Sequence, residues 1–105
     1  MPEGNDGITA VIFRKWRPSH GEGVMALFPE DASSADGYFC NAYEHVGGHG
    51  GADYRTCIRT TRPASPAEYA DLKAELEGIG YKLRVVKRVG YKVHQKRRDA
   101  ARSTT

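Results

Sequence analysis

Apolar positions alternate over residues 8–16, where Ile8, Ala10 and Ile12 interleave with Thr9, Val11 and Phe13 and both sets are largely apolar. A strand of that character is expected at the centre of a sheet, buried on both faces. Pro18-Ser19-His20-Gly21-Glu22-Gly23 supplies turn residues for a return, and residues 24–28 predict a short apolar second strand that Pro29 should stop. An acidic loop over residues 30–37 leads to a third strand over 38–46. Its alternation places Phe39, Asn41, Tyr43 and His45 on one face and Tyr38, Cys40, Ala42, Glu44 and Val46 on the other.

Residues 53–61 carry two patterns. Tyr54, Cys57, Ile58 and Thr61 follow helical spacing behind Asp53 as N-cap, while Thr56, Ile58, Thr60 and Thr61 suit a strand; a short helix is the expectation. The next signal is stronger. Ser65-Pro66-Ala67-Glu68 is a capping box with proline at the first helical position, followed by the stripe Tyr69, Leu72, Leu76, Ile79 and a stop at Gly78 and Gly80. Residues 81–89 predict a last strand with Tyr81, Leu83, Val85 and Val89 on one face and Lys82, Arg84 and Arg88 on the other; Val86 breaks the pattern.

These elements predict an α+β fold: a mostly antiparallel four-stranded sheet, its last strand beside the first, with one or two helices packed on one face. Residues 1–7 are expected to be a disordered N-terminus, 8–89 a single α+β domain and 90–105 a basic flexible tail without a core-forming pattern. At 105 residues the chain supports one core without metal or disulfide. Residues 2–7 have no signal-peptide character and no apolar run approaches membrane-spanning length, so a cytoplasmic protein without a membrane partner is expected. Cys40 and Cys57 form no Cys-x-x-Cys pair and are expected as free thiols.

Charge changes this picture. Up to residue 79 there are seven Lys or Arg against twelve Asp or Glu; from residue 80 there are nine against one. The expectation is an acidic body with a cationic C-terminal arm, suited to nucleic acid or to an acidic protein surface.

Two regions could carry chemistry. In Tyr43-Glu44-His45-Val46-Gly47-Gly48-His49-Gly50-Gly51-Ala52-Asp53, four glycines predict a sharply turning loop whose N–H groups could form an anion nest; a wide connection between elements is the plain alternative. His45, Gly47, Gly48, His49, Gly50 and Asp53 are the loop-site candidates. Cys40, His45, His49, Asp53 and Cys57 all bear zinc donors, and a Cys–His pair could be a nucleophile with its base, yet the spacing fits no established zinc motif and no catalytic set is complete. Neither metal nor cofactor is expected, and a metal or hydrolytic site at the loop is kept as an alternative. The second region is basic: Arg14, Lys15, Trp16 and Arg17, then Lys82, Arg84 and Arg88, then Lys96, Arg97 and Arg98. Cations neutralise phosphates and an aromatic ring stacks on an unpaired base, whereas a solvated basic face needs no ligand at all.

Val11-Ile12-Phe13-Arg14-Lys15-Trp16, Ala26-Leu27-Phe28-Pro29, Tyr43-Glu44-His45-Val46-Gly47-Gly48-His49-Gly50 and Arg62-Pro63-Ala64-Ser65-Pro66-Ala67-Glu68-Tyr69-Ala70-Asp71-Leu72 together resemble a family of short uncharacterised proteins of phages and bacterial mobile elements. The resemblance covers most of residues 8–88 and implies a phage or prophage source, with no activity to carry over. Its loop has a Gly-Gln-His step where this chain has Gly47-Gly48-His49. The functional expectation is a small non-enzymatic binding protein, favouring nucleic acid through the basic last strand and tail. The alternative is an accessory factor that binds a host protein, with Tyr38, Tyr43 and Tyr54 as anchors.

Overall fold

The computed structural model describes residues 8–17, 23–34, 36–44 and 48–103. In chain order the elements are β1 (Ile8–Trp16), β2 (Val24–Ala32), β3 (Cys40–Glu44), β4 (Gly48–Ala52), α1 (Tyr54–Thr60), β5 (Thr61–Pro63), α2 (Pro66–Ile79), β6 (Lys82–Val85) and α3 (Tyr91–Ser103). The expected N-terminal segment 1–7 and turn residues 18–22 lie outside the described residues.

The fold is α+β, with six strands and three helices among the described residues where four strands and one or two helices were expected. The sheet runs β4-β3-β2-β1-β5, all antiparallel. β1 divides its second edge: residues 14–16 pair with β5, while residues 8–11 pair in parallel with β6, so the last strand lies beside the first as expected.

Both faces of β1 are apolar, and both are covered. Val11 and Phe13 join Ala26, Phe28 and Tyr43 beneath Leu72 and Leu76 of α2. On the opposite face Ile12, Met25, Leu27, Cys40 and Ala42 meet Cys57 of α1, and α3 packs on β2 from that side. The expectation of helices on one face is therefore wrong, because a strand apolar on both sides needs a layer on each.

Local chemistry explains most boundaries. The Asp53 carboxylate caps α1 by accepting from the Arg55 N–H at 3.2 Å. Ser65 and Glu68 form the complete capping box of α2, and Gly80 ends that helix by donating to the Leu76 and Glu77 carbonyls. Burying Leu72 and Leu76 contributes about 2 kcal/mol each to docking α2, while Ile79, expected in the same stripe, is exposed. Phe13 stacks on Tyr69 and Phe28 on Tyr81, which fastens α2 and the start of β6 to the sheet.

Four further expectations need correction. β2 does not stop at Pro29 but continues to Ala32, because its ladder with β3 shifts register between Phe28 and Ala32 and proline's missing N–H is tolerated there. The third strand, β3, begins at Cys40 and not at Tyr38, and its expected last residues 45 and 46 lie outside the described residues. β6 ends at Val85, since Val86 turns to the other core with Val89 and leaves Val85 exposed. The largest difference is at the C-terminal end, where residues 91–103 form α3 instead of a flexible tail.

Arg97 fixes that helix. Its side chain is 4% exposed and donates to the carbonyls of Gly37 (Nε, 2.8 Å), Pro29 (Nη1, 2.7 Å) and Tyr38 (Nη2, 3.0 Å). The register shift in β2 takes Pro29 out of the regular ladder, and the guanidinium supplies its carbonyl with a donor. A helix this polar lacks an apolar stripe, so its docking is invisible to a search for hydrophobic periodicity.

Gly37 makes the close approach possible. It has φ 75°, and a Cβ there would lie 2.6 Å from Arg98 Cα and 2.9 Å from the Arg97 carbonyl oxygen. Gly37→Ala combines a left-handed backbone with a backbone clash and is expected to destabilise the fold by roughly 2 kcal/mol or more. Chemical denaturation checks this; an unchanged midpoint would show that α3 does not bear on the turn.

Candidate functional site

The glycine–histidine segment is not a turning loop over its described part. Gly48–Ala52 is the extended edge strand β4, registered with Glu44, Tyr43, Ala42, Asn41 and Cys40 of β3. His45 and Gly47 lie outside the described residues, as does the side chain of His49. Neither Gly50 nor Gly51 has the positive φ that a nest requires. Gly51 has a packing reason instead, since a Cβ there would meet Ser33 Oγ at 2.7 Å. Gly50 and Asp53 border a groove of about 390 Å³ with Trp16, Glu44 and Cys57.

Among the described residues no three His, Cys, Asp or Glu side chains group to hold a metal. Burial pushes the Cys40 thiol up to about 11 and raises Cys57 as well, which keeps both protonated and disfavours a thiolate nucleophile. No helix among the described residues is long and apolar enough to cross a membrane.

The expected basic candidates scatter over the molecule. Arg84 faces Glu30 at 3.6 Å, Lys82 is exposed on β6, and Lys15 is half-buried on β1. Trp16 donates from Nε1 to Glu44 at 2.6 Å, and Arg17 is exposed just beyond it. Lys96 and Arg98 are exposed on α3, whereas Arg97 is committed to backbone carbonyls. Tyr43, one of the expected protein anchors, is buried with its hydroxyl on Glu75.

Arg14 and Arg88 do meet, in a cleft of about 760 Å³. Its floor is Arg14, only 7% exposed, with Nε on Thr61 Oγ1 at 2.8 Å and Nη2 on the carbonyls of Ile58 (3.1 Å) and Thr61 (2.9 Å). These carbonyls lie at the C-terminal end of α1, where a cation is favoured by orphan acceptors and the helix dipole. Nη1 has no partner among the described residues. Burial lowers the Arg14 pKa from its ordinary value, yet no carboxylate pairs with it among the described residues.

One wall is α1, which presents Arg55 and Arg59 one turn apart beside Tyr54 and Ile58. The other is the β6–α3 link. Val86 N–H donates to the Val11 carbonyl at 2.9 Å and Val89 N–H to the Tyr54 hydroxyl at 3.4 Å, so both ends of the link are held while Lys87 and Arg88 between them are exposed. Among the described residues, five cations therefore line the cleft and no carboxylate does.

No family model, curated protein or solved structure matches the chain.

Arg55, Arg59, Lys87 and Tyr54 were not among the expected phosphate contacts. A signal existed: once 53–61 is helical, Arg55 and Arg59 fall at i and i+4 on one face. Their convergence with Lys87 and Arg88 depends on the link crossing Tyr54, which no periodicity encodes.

Next to the cleft, across Tyr54 and Arg55, lies a notch of about 490 Å³ against α3. Here Arg97 Nη1 lies 2.8 Å from His94 Nδ1; a guanidinium only donates, so Nδ1 accepts and the neutral ring carries its proton on Nε2. The Tyr54 ring covers the imidazole at 4.4 Å. Burial, then Arg97 and Arg55, lowers the His94 pKa. The unfolded chain thus binds this proton more readily than the folded one. His94 should support stability fully above the ordinary histidine value, with that support lost as pH falls through about 6.5 toward the lower folded-state value. Denaturation midpoints should fall between about pH 7 and about pH 5, and His94→Gln, which retains an acceptor, should flatten the fall. An identical slope in the variant would assign it to other groups.

Proposed function

We propose that the protein binds nucleic acid through the cleft between α1 and the β6–α3 link, without catalysing a reaction. The observation that carries this reading is the unbalanced charge: Arg55, Arg59, Lys87 and Arg88 surround a buried Arg14, and among the described residues no acid pairs with Arg14 or lines the cleft. An uncompensated guanidinium at the base of a cationic cleft is offset most directly by a phosphate. Tyr54, Ile58, Pro63 and Val89 add apolar surface for the sugar or base beside that phosphate. The cytoplasm of a cell carrying a phage or mobile element is the setting we propose, in keeping with the family resemblance.

Salt tests it. With four solvent-reachable cations on a single strand, the slope of log K against log salt should be about −3, a roughly 50-fold weakening from about 50 to about 200 mM. Fluorescence anisotropy with labelled oligonucleotides measures this directly. Absence of binding at the lower salt would end the nucleic-acid reading and favour the alternative, a host-protein partner.

A further inference from the structure

We infer that the ligand is an unpaired strand, held with its phosphates in the cleft and its bases on a ledge beyond Tyr54; this rests on the nucleic-acid reading above. The cleft does not end at α1. Tyr54 and Arg55 also line the neighbouring notch, where Tyr38 and Tyr91 stand with Arg98. Tyr91, at the first turn of α3, is 77% exposed, and Tyr38 is 43% exposed.

Exposed rings of that size need a reason, and neither stabilises the core. Tyr91 donates its hydroxyl to Gln95 at 2.8 Å, which steadies the ring without covering its faces. Tyr38 is steadied by Phe39, edge to face at 5.1 Å, and by its hydroxyl on Asp53 at 3.4 Å. Among the described residues Asp53 is the only carboxylate lining the notch, and it is engaged by the Arg55 N–H and by Tyr38. The surface therefore runs from five cations to two oriented, open rings with an arginine beside them.

A duplex keeps its bases stacked inside and offers only phosphates and groove edges, so it would use the cleft and leave the rings idle. A single strand presents both, and every base has a face to stack. DNA and RNA share this chemistry, so both are probes.

The experiment uses the full chain and fluorescent strands of about ten nucleotides: single-stranded DNA, single-stranded RNA, an abasic strand of equal length and a DNA duplex. Anisotropy titrations are run on the unchanged protein, on the double variant Tyr38→Leu/Tyr91→Leu, and on Tyr91→Phe. The unchanged protein should bind a single strand roughly 10- to 100-fold more tightly than the abasic strand. The double variant should drop to the abasic level, with abasic binding unchanged, and Tyr91→Phe should keep the base-dependent gain. Base-dependent binding of DNA, of RNA or of both supports the ledge and says which strand is the ligand. Equal affinity for base-bearing and abasic strands, or tighter binding of the duplex, overturns the ledge and leaves the cleft standing. No binding to any probe overturns both.

Discussion

Arg97→Leu is expected to lower the stability of the fold by roughly 3 kcal/mol or more. The substitution keeps bulk and removes the one group that donates to the carbonyls of Pro29, Gly37 and Tyr38 and lies against the His94 ring nitrogen. A buried acceptor left unsatisfied costs about 1–3 kcal/mol, and a small domain holds only about 5–15 kcal/mol in total. The loss should also be local before it is global. α3 packs chiefly on β2, and Gly37 allows the close backbone contact at Arg97 and Arg98, so hydrogen exchange in residues 91–103 should accelerate while the β1–β2 ladder stays protected. Arg97→Lys should behave almost as badly, because one ammonium cannot reproduce a planar fork that serves three carbonyls. A stability change below about 1 kcal/mol with α3 still protected would mean that another contact holds the helix.

The second large effect concerns binding. Arg59→Glu combined with Arg88→Glu places a carboxylate on each wall of the cleft, at exposed positions that form no ion pair among the described residues. Removing two of four phosphate contacts should reduce the salt slope from about −3 to about −1.5, and charge reversal should weaken single-strand binding by more than roughly 100-fold at low salt. Stability should fall by no more than about 1 kcal/mol, chiefly because Arg59 lies in the last turn of α1, where a carboxylate opposes the helix dipole. Lys96→Glu, exposed on α3 and outside the cleft, is the control for net charge. An equal loss from that single change would point to diffuse attraction by the whole protein instead of a site.

Where local chemistry decides the structure, the sequence was informative. The Ser65–Glu68 capping box, the Leu72/Leu76 stripe and the Asp53 cap all report interactions within one turn, and each formed as expected. The two apolar faces of β1 are also visible in the sequence, and they require a helical layer on each side, but periodicity alone does not say which helix covers which face. α3 was missed because its docking depends on one buried arginine meeting carbonyls about sixty residues away, and residue type does not distinguish that arginine from a solvated one. β4 was missed because glycine is a poor strand former; pairing with β3, and the Ser33 contact at Gly51, overrides that local preference. Of the basic candidates, Arg14 and Arg88 were named for reasons of charge alone. That Arg14 is a floor and Arg88 a wall follows from β1 passing beneath α1 while the link is held to Tyr54.

A titration of isotope-labelled protein with a single-stranded oligonucleotide, followed by amide chemical-shift mapping, tests the central claim most directly. Binding in the cleft predicts that the largest shifts fall at Tyr54, Arg55, Ile58 and Arg59 and at Lys87–Val89, with the Arg14 side-chain signal moving as its Nη1, without a partner among the described residues, gains an acceptor. Shifts confined to Gly48–Ala52, or to the face around Lys82 and Arg84, would contradict it.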